Sequence, residues 1–372
     1  MNLRLSVFAL VVSLSFVPSS ARADDLLGTA GQYNIFTLGD FVQQWTDAIG
    51  RVAVGGKFDP GGTINSGKLD GTAGYTVASG NPASTVATPN LVVGGNFRNS
   101  GTTLNGSAVI GGNAFFSTPT VNGNITTGGD LTASSGGFVN GSLYYGGTLH
   151  NNEGYKFYSG TANQLTTPLT LPFNFATEGA RLTGLSTTLS GMAGTGTVAF
   201  TGDAATHKQG GLTLTGTNSH QDVFHVSGAD LALANSFTIN AVAGETVVID
   251  IDGTIDQMSS FGFFLNNIDN HHVLYNFSSA TELTLSSIGV QGTILAPFAD
   301  INFNNGNIDG TIIGKSLRGG GESHSFLFTG SIDLPEPPPV DPAAVPEPSS
   351  LAIACIGVLV AGCYAHRNRR KS

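Results

Sequence analysis

Residues 91–154 repeat one alternation of apolar and polar positions. The successive units read LVVGGNFRNSGTTLNGS, AVIGGNAFFSTPTVNGN, ITTGGDLTASSGGFVNGS and LYYGGTLHNNEG. Each opens on a short β-prone triplet, turns at Gly-Gly, resumes on an apolar residue (Phe97, Phe115, Leu131) and reaches Asn-Gly at 105–106, 122–123 or 140–141. Double glycines start at Gly55, Gly94, Gly111, Gly128 and Gly146, so the last four lie 17, 17 and 18 residues apart. The first gap, 39 residues, leaves room for two units and a small insertion. Gly and Asn tolerate positive φ and so supply corners at little cost. Three-residue strands between corners at a constant short period predict a β-helix, in which each coil buries its apolar side chains by stacking on its neighbours. A β-sandwich also turns often, but nothing in it requires a fixed period.

The pattern then breaks and returns. Residues 173–192 space Phe175, Leu182, Leu185 and Leu189 near helical periodicity, which predicts one α-helix. The run contains Thr and Gly, so packing against the body has to stabilise it. Strands are expected at 197–201, 212–217 and 246–251, and a turn leading into a strand at 276–285. In 292–313, Gly292-Thr293-Ile294 recurs as Gly310-Thr311-Ile312 after 18 residues, so the coil resumes. The expectation is an all-β chain: a discontinuous β-helix over 24–333 with the 173–192 helix docked along its side.

Composition narrows the function classes. Gly occupies 52 of 372 positions, about twice the usual share, without the three-residue period of collagen. Hydrophobic residues make up 40%, including 23 Phe, enough to fill a core. Within 24–346 there are 9 Lys and Arg against 24 Asp and Glu, a net of −15. Nucleic-acid binding, which needs a basic footprint, is therefore disfavoured.

The two ends predict export. Residues 1–23 carry Arg4, an apolar run over 5–17, and Pro18 followed by Ala21-Arg22-Ala23, the layout of a signal peptide cleaved after Ala23. The only cysteines, Cys355 and Cys363, lie in the C-terminal apolar segment, so the body has no disulfide or thiolate chemistry. Residues 334–348 hold seven prolines, a stiff extended spacer. An uncharged segment at 351–365 precedes His366, Arg367, Arg369, Arg370 and Lys371. Fifteen helical residues span about 22 Å, short of the roughly 30 Å hydrocarbon core, so transient or permanent membrane insertion there is marginal. The basic cluster would keep the C-terminus cytoplasmic.

Two resemblances follow from these residues. Pro346-Glu347-Pro348, the apolar segment and the basic end in 349–372 together resemble the PEP-CTERM sorting signal. That resemblance implies recognition of the Pro-Glu-Pro stretch by an exosortase and an association with exopolysaccharide production; a plain membrane anchor is the alternative. YNIF at 33–36, LGDF at 38–41, GRVAVGG at 50–56 and LVVGGN at 91–96 resemble the choice-of-anchor A domain, an ice-binding-like adhesive family. LYNF at 274–277, GTILAP at 292–297 and GGGESH at 319–324 continue the set in the family's order. The resemblance implies an exported surface or matrix protein contacting extracellular polysaccharide or other surface components. It supplies no catalytic, cofactor or metal residues.

Candidate chemistry in the body is sparse. Asp250, Asp252 and Asp256 form the densest acidic group, but Thr254 breaks the EF-hand spacing, and an exposed strand edge followed by a turn is the simpler expectation. His271 and His272 would point to opposite faces of an extended strand. His220 and His225 flank Asp222 without metalloprotease spacing, and read as polar surface. Glu322 and His324 suggest a hydrogen-bond network at a coil end. No calcium-binding repeat is present, so no metal ion or cofactor is expected to hold the coils. Three functions remain: a non-catalytic adhesive or matrix protein, an ice-binding protein, and a polysaccharide-active enzyme using two carboxylates across coils. Ice binding needs one Thr position per coil, and Thr103, Thr120 and Thr132 are expected in differing phases around the Gly-Gly turns.

Overall fold

The computed structural model describes residues 26–335 apart from 44, 61–73, 85–87 and 153. The cleavage site after Ala23, the Pro346-Glu347-Pro348 motif and the segments 351–365 and 366–372 lie outside the described residues.

The chain forms a discontinuous β-helix. One parallel sheet carries its continuity. It runs through Gln221–Ser227, Thr246–Asp252 and Val273–Asn276 to Thr293–Asp309 and Ile312–Gly319. It then passes to Ile35–Thr37, because Ile35 pairs with Ile312 on one side and with Val52 on the other. From there it continues through Val52–Val54, Leu91–Val93, Ala108–Ile110, Ile125–Thr127, Leu143–Tyr145 and Ala162–Gln164. The first coil of the chain thus stacks directly on the last.

A return path makes this order possible. After Ala162–Gln164 the chain runs back past the coils: Leu169 reaches Gly128, and Phe173 packs edge-on against Tyr33 and beside Phe36. The expected helix follows as α1 (Phe175–Ser190). Asn174 caps it, its side chain accepting from the N–H groups of Ala176 and Thr177 at 2.8 and 3.1 Å. Leu182, Leu185 and Leu189 bury one stripe. They pack on outward residues of the continuous sheet, among them Phe36, Ala53, Val92, Val248, Leu274, Leu295 and Ile313. Near the other end of the helix Ser186 donates to Asn276 at 2.6 Å, and Asn276 returns a bond to the Ser186 carbonyl. Strands under α1 are therefore apolar on both sides, as in Val52–Val54 and Leu91–Val93. Further along, the same outward column becomes Val109, Thr126, Tyr144 and Asn163, ending exposed.

Two further faces close each coil. The second includes Phe41–Gln43, Phe97–Ser100, Ala114–Ser117 and Leu131–Ser135, with an inward aromatic stack: Phe41 lies 4.7 Å from Phe58, and Phe58 5.3 Å from Phe97. The third is built of Glu322–His324, Thr46–Ala48, Tyr75–Val77, Thr103–Asn105, Thr120–Asn122 and Phe138–Val139. A separate sheet of Thr197–Phe200, Gly210–Thr215, Ala234–Asn240 and Gly262–Asn266 begins with an antiparallel pair and continues parallel. A one-turn helix, Gly228–Leu231, packs against Ile255–Ser259 and Gln221–Ser227.

Two readings of the repeat are corrected. The 39-residue gap between double glycines is one coil with a long insertion, since Val52–Val54 pairs directly with Leu91–Val93. The double glycines also serve a different purpose from positive φ, which none of them adopts. A Cβ on Gly111 would sit 2.4 Å from the Gly94 carbonyl oxygen, and one on Gly128 at 2.4 Å from that of Gly111. Stacked corners approach too closely for any side chain. Beside them runs a polar spine: Asn113 N–H donates to Asn96, Asp130 N–H to Asn113 and Thr148 N–H to Asp130, at 2.7–2.9 Å.

Candidate functional site

The third face carries the most regular array of outward side chains. Thr76 pairs with Thr103, Thr103 with Thr120, and Thr120 with Phe138, so one outward column reads Thr-Thr-Thr-Phe. Thr103 and Thr120 each lie nine residues after their Gly-Gly turn and share a phase. The expectation that they differ is wrong; only Thr132, on the second face, is out of step. Two residues along, Asn105, Asn122 and Asn140 form a ladder in which Asn122 Nδ2 donates to Asn105 Oδ1 and Asn140 Nδ2 to Asn122 Oδ1, both at 2.9 Å. Interior Leu104, Val121 and Val139 hold the two columns in register. Neighbouring coils are about 4.8 Å apart and alternate residues about 6.8 Å apart, so the columns make a shallow grid of hydroxyls and amides.

Aromatic residues border the grid. Phe138 is 40% exposed, and Trp45, just before Thr46–Ala48, is 70% exposed with its ring against Gly74. The same composition recurs on the separate sheet: Thr213, Thr238 and Phe264 stand in one column and Thr215, Asn240 and Asn266 in the next. Asn266 donates to Asn240 at 2.8 Å there. Between Asn307 and Thr76 the third face is charged: Asn307 pairs with Glu322, Asp309 with His324, and Asp47 with Thr76.

Several expected positions behave differently. Asp250 is no exposed edge residue: its strand lies between Gln221–Ser227 and Val273–Asn276, and its side chain is buried and accepts from Asn276 Nδ2 at 2.8 Å. Asp252 accepts from the Gly228 N–H, and burial, with Asp252 nearby, raises the Asp256 carboxyl to about 6. The three do not converge on a point. His271 and His272 sit in a 3-10 turn rather than a strand, with the Asp269 carboxylate accepting from the His271 N–H and contacting His272 Nδ1. His220 pairs with Asp333 at 3.1 Å and His225 with Asp250 at 3.5 Å, surface roles as expected. Glu322 and His324 do form a network, with Asp309 as third member: His324 Nε2 lies 3.2 Å from Glu322 and Nδ1 2.5 Å from Asp309. Burial opposes the charged imidazole, but the bonds to these two carboxylates prevail and raise its pKa.

One carboxyl pair escapes the sequence. Asp222 and Glu245 are buried together; burial, then the closeness of the Asp222 carboxylate, raises Glu245 to about 7. Among the described residues neither Glu245 oxygen meets a hydrogen-bond partner, so burial and the nearby Asp222 charge favour its neutral form. Asp222 also accepts from Thr195 Oγ1, Asn218 Nδ2 and the N–H groups of Thr217 and Asn218. Burial works against its charge, yet these bonds hold its pKa low. A carboxylate with every lone pair engaged is a structural clamp, poorly suited to act as nucleophile or base. Among the described residues no group of three or more His, Cys, Asp or Glu is placed to hold a metal, and no helix is long and apolar enough to cross a membrane.

A family described as "Putative Ice-binding-like adhesive domain" matches residues 26–127 and 115–325. A crystal structure of an ice-binding protein from an Antarctic bacterium, Flavobacteriaceae, is similar at 16% identity over 84% of this chain and 86% of that one, with a TM-score of 0.23. No curated protein matches.

Proposed function

The chain belongs to that ice-binding-like adhesive domain family, and from this premise we propose that it is an exported, non-catalytic adhesive or matrix protein whose third face holds extracellular polysaccharide. The observation that carries the reading is the in-register grid of Thr76, Thr103, Thr120, Asn105, Asn122 and Asn140, bordered by exposed Trp45 and Phe138. Hydroxyls and amides at fixed spacing give many weak hydrogen bonds to a sugar polymer, and aromatic rings add apolar contact. None of this needs a deep pocket. Residues 1–23 would direct export with cleavage after Ala23. The tail would be sorted by an exosortase acting near Pro346-Glu347-Pro348, with 351–365 entering the membrane before processing, as the choice-of-anchor A and PEP-CTERM resemblances suggest.

Ice binding is the second reading, favoured by the Thr76-Thr103-Thr120 column itself. That column is three residues long and ends at Asp47 on one side and Phe138 on the other, whereas an ice-matching face benefits from longer regularity. Incubating the mature protein with the producer's exopolysaccharide, while following cosedimentation and polymer length, separates the functions. Adhesion predicts association at constant polymer length. Progressive shortening would overturn it in favour of an enzyme, and thermal hysteresis without polymer association would favour ice.

A further inference from the structure

Where the last coil meets the first, the second face is cleft by a groove of about 560 Å³. The body has only 9 Lys and Arg, and three of them, Lys57, Lys315 and Arg318, line this groove. Two are already engaged: Lys57 pairs with Asp59 at 3.1 Å, and Lys315 with Asp300 at 2.9 Å. Arg318 is exposed and, among the described residues, no carboxylate lies within ion-pair distance of it. Its lateral neighbours are Asn302 and Val42, on strands from the two halves of the chain.

Two acceptors in the groove are also unspent. The Asp59 side chain is only 6% exposed, and while Oδ2 meets Lys57, buried Oδ1 has no hydrogen-bond partner among the described residues. A buried acceptor without a donor is costly and points to a group that arrives from outside. Glu282 stands beside Asp300 across the strand pair, a like-charge neighbour that Lys315 offsets, and its own carboxylate is exposed and unpaired among the described residues. A ligand suited to this set brings one carboxylate for Arg318 and several hydroxyls for Asp59 and Glu282. Guanidinium binds carboxylate through two parallel bonds, and carboxylates accept sugar hydroxyls.

We propose that the seam groove is a subsite for a uronic acid unit of an acidic polysaccharide, with Arg318 taking the sugar carboxylate and Asp59 and Glu282 its hydroxyls. The assignment rests on the polysaccharide-adhesion reading and supplies its charge selectivity. Asp40, Asp59, Glu282 and Asp300 line the groove with Lys57, Lys315 and Arg318, so the exposed guanidinium of Arg318, rather than the net charge, would hold the sugar carboxylate there.

The test uses the full chain on immobilised alginate, a polyuronate, and on neutral dextran, with the producer's exopolysaccharide run in parallel. The wild type is expected to be retained on alginate more strongly than on dextran. Arg318→Gln should lower alginate retention by about tenfold or more, leaving dextran unchanged, whereas Lys208→Gln, in the turn between Thr197–Phe200 and Gly210–Thr215, should change neither. Equal losses from both substitutions would mean diffuse charge and overturn the subsite. So would preference for dextran, or wild-type retention by Arg318→Gln. If the protein associates with its own exopolysaccharide but ignores alginate, the subsite fails and adhesion stands; if it binds none of the three, adhesion fails as well.

Discussion

Ile35, in the first coil, lies in parallel register with Ile312, in the last. Their sequence separation is the length of nearly the whole body, yet both are fully buried in one continuous core. Neither half of the solenoid ends in solvent at this seam, so the two should unfold together. Ile312→Ala removes a side chain stacked between Ile294 and Ile35 and should cost about 2–5 kcal/mol. Urea unfolding followed by fluorescence of Trp45, the one tryptophan, and by far-ultraviolet dichroism should give coincident transitions that shift together.

Glycine substitutions should separate two roles. Gly111→Ala places a methyl 2.4 Å from the Gly94 carbonyl oxygen and should destabilise by about 1–3 kcal/mol. Gly184 is exposed on α1 with nothing within 4 Å of an added Cβ, so Gly184→Ala should stabilise by about 0.5–1 kcal/mol. Thermal midpoints moving in opposite directions are the expected outcome.

The docked helix holds the return path against the sheet. Leu182→Ala, from a fully buried position, should cost about 2–5 kcal/mol, and Asn174→Ala about 1 kcal/mol through loss of the cap. Hydrogen exchange in 175–190 should rise in both variants.

Stability should fall as pH rises toward and past neutrality. Glu245, raised to about 7 from 4.5, holds its proton in the folded state where the unfolded chain has lost it. Its contribution is complete below the unfolded value and is lost as pH rises through the folded one. Asp256, raised to about 6, and His324, raised above 6.5, act in the same direction. Asp222, Asp269 and Asp300 are lowered instead, so their contribution is present above the ordinary carboxyl value and lost in acid. Thermal midpoints should therefore drop between about pH 5 and 8, and Glu245→Gln, a neutral isostere that cannot titrate, should flatten that slope.

What the sequence disclosed was local. The 17–18 residue period, the return at Gly310-Thr311-Ile312 and the helical stripe of Leu182, Leu185 and Leu189 are short-range patterns, and all three appear in the structure. Contacts set by stacking were hidden. The seam of Ile35 with Ile312 has no local signature, and the insertion after Phe58 made one coil look like two. Asp250 alternates like an edge residue because nothing near it in the chain announces Asn276 or the cover of α1. The Asp222–Glu245 clamp joins consecutive coils, with Gln221 paired to Thr246. The Thr and Asn columns were available in principle: counting from each Gly-Gly turn places Thr103 and Thr120 together.

Adhesion through the third face can be read from the affinity of the mature protein for its producer's exopolysaccharide when that face is altered. The combined Thr120→Ala, Asn122→Ala and Phe138→Ala variant changes three outward positions on adjacent coils, and Thr132→Ala changes one on the second face. Adhesion through this face predicts at least about a tenfold loss for the first, with its thermal midpoint nearly kept, and no loss for the second. Unchanged affinity in the folded triple variant, or an equal loss from Thr132→Ala, would contradict it.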